Sequence, residues 1–403
     1  MSGPLKLQPP TSSDSPKAVA GGHHSGRWRP GLTVVHRWVG VFASLYFCWM
    51  SITGVSMVFR DELDELLVKR PTVAAYTAMA PLSKIVSTLN DRYPHRKLTG
   101  LMYPLQPGKP LETFVQNQGG GQTRIFVDPG TAAVLEPADE HPVLKFLQEA
   151  HFNLLLNKTG RKINALCGLA LAFLALSGIA LFARGVSYCL HTLKMKWKGS
   201  ARVIAWSHHQ KVGFFLFPML LVWGISAYSF GFHDQFQALV NVVMPVTALR
   251  KTSSLQTATG GIDNAGLPSI AVESVNRSQI FDSAQALATS LCPAERISRI
   301  SLPAGKEHIA KFWLTGTESN NKVDATEVDI DFATGQCLAV IRLQKRTAGD
   351  TFLVWLPRVH FGNFAGIYSK CIWCVIGFTP MFLSITGLIM WWHPRHRAGA
   401  SGT

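Results

Sequence analysis

Four stretches of the chain, each 21 or 22 residues long, contain no charged residue and no histidine. They are Trp38–Phe59, Ile163–Ala183, Val212–Phe232 and Cys371–Trp392. An α-helix rises about 1.5 Å per residue, so each stretch is long enough to cross a hydrocarbon core about 30 Å thick. The pattern predicts four transmembrane helices. Pro218 lies inside the third and Pro380 inside the fourth, where we expect kinks.

The two long segments that follow the first and third of these helices have a different pattern. A stretch of helical spacing, at Leu82–Arg92 and at Phe281–Leu291, is followed by the period-2 alternation typical of strands. The predicted strands are Lys97–Tyr103, Leu111–Gln116 and Thr123–Val127, and then Arg296–Leu302, Ile309–Thr315 and Thr326–Asp331. The sequences "DPGTAAVL" and "DFATGQCL" predict hairpin turns after the last strand of each set. Each segment therefore predicts one helix packed on a small antiparallel sheet.

These elements form two repeats in the same orientation. A shift of 173 residues aligns His36 with His209, and the segments around them match from the first helix to the third. A shift of 209 residues aligns His151 with His360, and "SG" at 177–178 with "TG" at 386–387. Each repeat is thus a helix, a long intervening domain and a second helix.

The net charge of +15 is distributed unevenly. Residues 1–37, 184–211 and 393–403 hold thirteen Lys and Arg but one acidic residue, whereas the rest of the chain holds 26 basic and 23 acidic residues. Positively charged short segments stay in the cytoplasm, so we expect both termini there and both long segments exported to the periplasm. The basic excess follows the topology, and therefore favours contact with the lipid bilayer and not with nucleic acid.

We expect a mainly α, multi-pass protein of the bacterial inner membrane, with four transmembrane helices in two parallel repeats and two periplasmic α+β domains. The first half is predicted to begin with a disordered cytoplasmic tail at 1–31, followed by a first membrane helix at 32–59, a first periplasmic domain at 60–145, and an interfacial segment and second helix at 146–184. A cytoplasmic loop at 185–202 leads to the second half. This half consists of a third helix at 203–232, a second periplasmic domain at 233–349, an interfacial segment and fourth helix at 350–392, and a cytoplasmic tail at 393–403.

Four histidines stand at positions that the repeat matches. His36 and His209 begin helices at the cytoplasmic face, and His151 and His360 stand just before helices that enter from the periplasmic face. Imidazole is the usual axial ligand of haem iron, and polar residues at membrane depth tend to be functional. Two histidines that face each other across a bundle would hold a six-coordinate haem suited to electron transfer. The pattern therefore indicates two such pairs, one near each membrane face.

Other interpretations of these histidines stay open. A histidine at a membrane interface is often a structural polar residue, and a duplication copies such residues too. His208 adjoins His209 and is a substitute for it as a ligand. Gly40 and Gly213 each stand one helical turn after a candidate ligand, where a missing side chain leaves room for a flat macrocycle.

The seven cysteines narrow the cofactor chemistry. No CxxCH motif occurs, so covalently attached c-type haem is not expected. Cys292 and Cys337 share one exported segment, where an oxidising compartment would permit a disulfide. Spacing alone leaves this pairing open, because a disulfide requires a specific geometry.

The motifs "HRWVGVF", "ITG" and "VFRDELD" of the first helix, together with the repeated "SG" and "TG", resemble the PepSY-associated transmembrane family. The resemblance covers most of residues 32–397, and within the family it is closest to the FoxB-type ferric-siderophore reductases. It implies two periplasmic PepSY-like domains, two haem b groups and reductive release of iron. Carried over to this sequence, the haem iron ligands would be His36, His209, His151 and His360.

The resemblance implies an enzyme that passes electrons across the inner membrane to ferric siderophore and releases Fe(II), which hard oxygen ligands bind less tightly than Fe(III). No G-x-G-x-x-G motif follows a strand, so we expect a separate electron donor, either a quinol or a cytoplasmic flavoprotein. Two other functions stay open. One is a membrane-anchored PepSY binding or peptidase-regulatory protein without haem, and the other is a transporter built from repeats.

Overall fold

The computed structural model describes residues 28–393 except 77, 105, 117–121, 139–140, 183–193, 247–278, 304–307, 317–324 and 343–346. Most of the predicted tails at 1–31 and 393–403 and much of the predicted loop at 185–202 lie outside these residues. The helices are α1 (Arg29–Met57), α2 (Arg60–Leu67), α3 (Leu82–Arg92), α4 (Pro142–Asn153), α5 (Asn157–Phe182), α6 (Ala201–Gly231), α7 (His233–Val243), α8 (Gln279–Leu291), α9 (Ala348–Phe361), α10 (Gly366–Ile376) and α11 (Thr379–Trp392). The strands are β1 (Lys97–Met102), β2 (Leu111–Gln116), β3 (Gln122–Val127), β4 (Val134–Ala138), β5 (Glu295–Ser301), β6 (Ile309–Gly316), β7 (Thr326–Asp331) and β8 (Cys337–Ile341).

Within the described part of the chain, four helical spans are long and apolar enough to cross a membrane, as predicted. They are α1, α5, α6 and the segment Gly366–Trp392, which consists of α10 and α11. The last span is interrupted at Gly377 and Phe378, and Pro380 is the second residue of the helix that follows. Proline has no N–H to donate and is therefore tolerated in a first helical turn. Pro218 lies inside α6, which continues through it as one helix of 31 residues.

The four spans are arranged as a ring. Both α1 and α6 contact α5 and α11, so α1 and α6 lie diagonally across the bundle. The contact between α5 and α6 is the closest, because a Cβ on Gly168 would lie 2.8 Å from the carbonyl oxygen of Gly224. Small residues allow such backbone contact between membrane helices, where van der Waals packing is the main source of association.

All eight strands belong to one antiparallel sheet, in the order β4-β3-β2-β1-β5-β6-β7-β8. The predicted hairpin turns are present, since β3 pairs with β4 and β7 pairs with β8. The sequence led us to expect two separate α+β domains, but β1 of the first pairs directly with β5 of the second. The helices α3 and α8 pack on the same side of this sheet and cover one continuous hydrophobic core.

The junction between the two halves of the sheet is symmetric. Leu101 pairs with Ile300, its repeat equivalent, and the neighbouring pairs are Gly100 with Ser301 and Met102 with Arg299. The helices meet in the same region, where Ser83 N–H donates to Asp282 Oδ1 at 2.9 Å. The pseudo-two-fold axis that relates the two repeats therefore passes through the central strand pair of the sheet.

The two cysteines of the second long segment lie in this core. Cys292 and Cys337 are 5% and 6% exposed and pack among the apolar residues of the shared core. No disulfide joins them. Cys292 and Cys337 are therefore core packing residues and do not form the disulfide that their spacing would permit.

One buried carboxylate ties the first membrane helix to the sheet. Asp64 of α2 accepts hydrogen bonds from both terminal nitrogens of Arg124 in β3, at 2.8 and 3.0 Å, and from Arg70 at 2.9 Å. Burial alone would raise the pKa of Asp64, but the hydrogen bond and charge of Arg124, with Arg70, lower it overall. The carboxylate is therefore ionised in the folded protein and holds α2 against the sheet.

Asp64→Asn should destabilise the sheet by about 3 kcal/mol, because both guanidiniums lose their main buried anion. Thermal unfolding of the detergent-solubilised protein at pH 7 measures this change. The lowered pKa of Asp64 means that its contribution is complete above the unfolded value, about 4, and is lost as the pH falls through the lower folded value. The wild type should therefore lose more stability on acidification than Asp64→Asn.

The matched control is Glu65→Gln. Glu65 is exposed and pairs with Lys109 at 2.6 Å, and such a surface ion pair contributes at most about 1 kcal/mol. Equal destabilisation by the two variants would contradict the role assigned to Asp64.

Candidate functional site

The first histidine pair lies on the two diagonal helices of the bundle, toward the end away from the sheet. His36 of α1 and His209 of α6 face each other with ring centres 6.5 Å apart and ring planes at 83°. We call this pair the far site. The repeat alignment matched these two residues in sequence, and the structure brings them together in space.

The second pair lies next to the sheet and is called the sheet-side site. His151 and His360 line one cavity of about 380 Å³ between the membrane helices. The lining is mostly apolar and aromatic and includes Phe152, Trp223 and Phe361. Of the described residues around this cavity, Arg161 is the charged one.

Local structure fixes the position of the two sheet-side histidines. Each lies in the last turn of a short helix, and each helix ends at a left-handed residue, Leu154 after α4 and Gly362 after α9. The carbonyl of His151 accepts a hydrogen bond from Asn164 Nδ2 at 2.7 Å, and that of His360 accepts one from Trp223 Nε1 at 3.2 Å. Side chains of the spanning helices thus satisfy the free carbonyls at these helix ends.

Burial disfavours the charged form of both sheet-side imidazoles. Burial lowers the pKa of His151 to about 4. Burial, together with the neighbouring His151, lowers the pKa of His360 to about 3. A neutral imidazole keeps a lone pair on one ring nitrogen, and this is the form that binds a metal.

Each of the four histidines places Nδ1 within hydrogen-bond distance of one Ser or Thr hydroxyl on a neighbouring spanning helix. The distances are 2.7 Å from His36 to Ser177 Oγ, 3.0 Å from His151 to Thr53 Oγ1, 3.0 Å from His209 to Thr386 Oγ1 and 2.5 Å from His360 to Ser226 Oγ. The same shifts of 173 and 209 residues that align the histidines align these hydroxyl residues. The two sites are therefore equivalent in their surroundings as well as in their histidines.

Small residues border the imidazoles. A Cβ on Gly54 would lie 2.8 Å from Cε1 of His151, whereas a Cβ on Gly387 would lie 3.7 Å from Cε1 of His209. The predicted open space beside Gly40 and Gly213 is also present, since a Cβ on either would have nothing nearer than 3.9 Å. Open space thus lies along the helices at the far site, and a tight contact exists at the sheet-side site.

His208 does not share the position of His209. Its Nδ1 lies 2.9 Å from the carbonyl oxygen of Ile204 in its own helix, and its ring packs edge-on against Trp197 at 4.7 Å. His208 thus has partners in its own surroundings and not His36, and its role as a substitute ligand stays a prediction.

A comparison with known protein families matches residues 33–393 to the PepSY-associated TM region. The chain belongs to the PepSY-associated transmembrane family. A comparison with curated proteins gave no match. The family assignment confirms the coarse resemblance stated from the sequence motifs, and it fits a membrane protein with four apolar helical spans.

The hydroxyl residues are the part of this PepSY-associated chain that the sequence interpretation missed. A signal was present, because each hydroxyl is followed by a small residue at Thr53-Gly54, Ser177-Gly178, Ser226-Ala227 and Thr386-Gly387. The repeated "SG" and "TG" were recognised as family motifs but not as partners of the histidines. Their role depends on which helices are neighbours, and the one-dimensional pattern does not give this.

Proposed function

We propose that this chain is a dihaem b oxidoreductase of the membrane that passes electrons toward its sheet side and reduces ferric siderophore there, releasing Fe(II). The observation that carries the proposal is the presence of two matched imidazole pairs at opposite ends of one helix bundle, one pair with its rings facing each other and the other lining a shared cavity. His36 and His209 would hold one haem, and His151 and His360 the other. Haem iron held by two imidazoles changes between two oxidation states and so supplies one-electron transfer.

The number of ligands favours haem over a free metal ion. In the part of the chain that the structure describes, no group of three or more His, Cys, Asp or Glu side chains is placed to hold a metal ion. Protein zinc sites use three or four side chains, so an imidazole pair alone is too small a ligand set. A macrocycle that brings its own nitrogen ligands requires only the two axial positions that a histidine pair provides.

The spacing of the far site agrees with this assignment. Two imidazoles bonded on opposite sides of one metal, at about 2 Å each, place their ring centres roughly 6 Å apart. The ring centres of His36 and His209 are 6.5 Å apart.

The lining of the sheet-side cavity also suits haem. Haem is a flat apolar ring with two carboxylates, and the cavity combines aromatic walls with the guanidinium of Arg161. Asn153 Oδ1 accepts a hydrogen bond from Arg161 Nε at 3.0 Å, which fixes this cationic side chain beside the cavity. The apolar residues exclude water, so the surroundings of the imidazoles stay fixed.

The separation of the two sites supports transfer across the membrane. His36 and Thr53, which contacts His151, both lie on α1 and are separated by roughly 25 Å along the helix axis. This distance is most of the thickness of a hydrocarbon core. The donor, a quinol or a flavoprotein, would deliver electrons at the far site, and the ferric substrate would receive them beside the sheet.

Purified wild-type protein should contain two haem b per chain and show sharp α and Soret bands after dithionite reduction. His36→Ala and His151→Ala should each remove one haem, because each destroys one axial pair. The pyridine haemochrome assay counts the haem. His208→Ala is the matched control and should retain both. A colourless wild-type protein, expressed with ample haem, would favour a binding protein without haem.

Gly54→Ala should disturb the sheet-side haem more than Gly387→Ala disturbs the far haem. The added methyl would press on His151 at 2.8 Å, but it would meet His209 at an ordinary 3.7 Å. We expect loss or a changed spectrum of one haem in the first variant and a wild-type spectrum in the second. The reverse order would contradict the assignment of His151 as a ligand.

The substrate is tested in proteoliposomes that enclose a reductant, with ferric siderophore outside. Electron transfer should produce Fe(II) outside, measured as the coloured complex of a ferrous chelator. The variant His36→Ala should reduce the rate at least tenfold, because it removes the entry site. Haem that is reduced but is not reoxidised by ferric siderophore would refute this substrate while leaving the dihaem assignment intact.

A further inference from the structure

Each of the four hydroxyls that contact the histidines also has a carbonyl oxygen of its own helix within hydrogen-bond distance. Thr53 Oγ1 donates to Trp49 O at 2.8 Å, Ser226 Oγ to Val222 O at 2.6 Å, Thr386 Oγ1 to Phe382 O at 2.8 Å and Ser177 Oγ to Leu174 O at 3.3 Å. A hydroxyl carries one proton, so toward the histidine it is left with a lone pair. A hydroxyl that donates to its own carbonyl therefore accepts the proton of the imidazole.

We infer that these hydroxyls fix the tautomer of all four histidines, with the proton on Nδ1 and the lone pair on Nε2. Nε2 is then the atom of each ring that binds iron. The inference rests on the proposed dihaem function and adds four positioning residues to it: Thr53, Ser177, Ser226 and Thr386.

The arrangement is reciprocal within each repeat. In the first repeat, His36 of α1 contacts Ser177 of α5, while His151 of α4 contacts Thr53 of α1. In the second repeat, His209 of α6 contacts Thr386 of α11, while His360 of α9 contacts Ser226 of α6. Each repeat thus orients its own two imidazoles, while each site takes one imidazole from each repeat.

A hydroxyl that bonds to a carbonyl of its own helix is common and does not by itself indicate a site. Ser44 makes such a bond, to Gly40 O at 2.6 Å, and none of the four site histidines is bonded to it. The four positioning residues differ from Ser44 because the hydroxyl oxygen of each also contacts an imidazole Nδ1. These contacts occur at positions that the repeat matches. Ser44 is therefore a matched control that is buried in the same helix as Thr53.

The hydrogen bond should affect the chemistry of the site as well as its geometry. An Nδ1–H that donates to an oxygen makes Nε2 a stronger electron donor, which favours Fe(III) over Fe(II). Loss of such a partner weakens metal binding by about 10- to 100-fold in other sites. Removing one hydroxyl should therefore raise the reduction potential of one haem and speed its loss, and should leave the other haem unchanged.

The test uses the full chain in detergent with Thr53→Val, which keeps the side-chain shape, and Thr53→Ser, which keeps the hydroxyl. Potentiometric titration of the α bands gives the potential of each haem, and transfer to excess apomyoglobin gives the rate of haem loss. Thr53→Val should shift one haem to a more positive potential and accelerate its loss about 10- to 100-fold. Thr53→Ser and Ser44→Ala should match the wild type in both measurements.

Three results would overturn the inference. Unchanged potential and haem loss in Thr53→Val would show that the hydroxyl has no role. Equal defects in Thr53→Val and Thr53→Ser would show that packing, and not the hydrogen bond, matters at this position. A wild-type protein without haem would overturn the proposed function together with this inference. The haem content of the wild type therefore distinguishes a failure of the proposed function from a failure of the inference alone. Ser177→Ala repeats the test at the far site, should Thr53→Val fail to fold.

Discussion

An imidazole inside an apolar helix bundle keeps two polar nitrogens away from water, and each of them needs a partner. This requirement organises the membrane part of the protein. A hydroxyl from the adjacent helix satisfies Nδ1, so the identity of neighbouring helices is specified by polar contacts as well as by packing. The glycine after Thr53 leaves just enough room for the ring of His151, and the small residues between α5 and α6 bring those backbones together. With Nδ1 satisfied, Nε2 is the nitrogen of each ring that is left for a further ligand.

Much of this architecture could be predicted from the sequence, because the decisive signals are periodic. Four uncharged stretches indicated the spans, and alternation indicated strands such as Leu111–Gln116 within a residue of their observed ends. The repeat alignment matched His36 with His209 as equivalent positions, but it left the pairing of the histidines in space to the packing of the helices. What the sequence could not supply was the choice between adjacent residues: His208 and His209 have the same chemistry, and only the rotation of α6 decides which one faces His36. The hydroxyl partners were missed for a related reason, since they depend on helix adjacency and not on spacing.

The union of the two long intervening segments in one sheet could also not be predicted from the sequence. Alternation identifies a strand and the face that it buries, but it does not say which strand lies beside an edge. In separate domains, β1 and β5 would each be an exposed edge strand. Their pairing satisfies the backbone N–H and C=O groups of both edges. The pairing also holds the two repeats together above the membrane. Asp64 then links the sheet to α2, directly after the first span, so the spacing of the repeats in the membrane is supported from outside it.

The symmetry of the strand order has a consequence for the origin of the protein. The order β4-β3-β2-β1-β5-β6-β7-β8 is a palindrome of two four-stranded halves, and its central pair joins equivalent residues. A chain of half this length, associated as a two-fold homodimer, would form the same continuous sheet by pairing β1 with its own copy. It would also complete both histidine pairs, because each takes one member from each half. Duplication and fusion of such a subunit would therefore bring every feature of both sites into one chain and would allow the two copies of each residue to diverge.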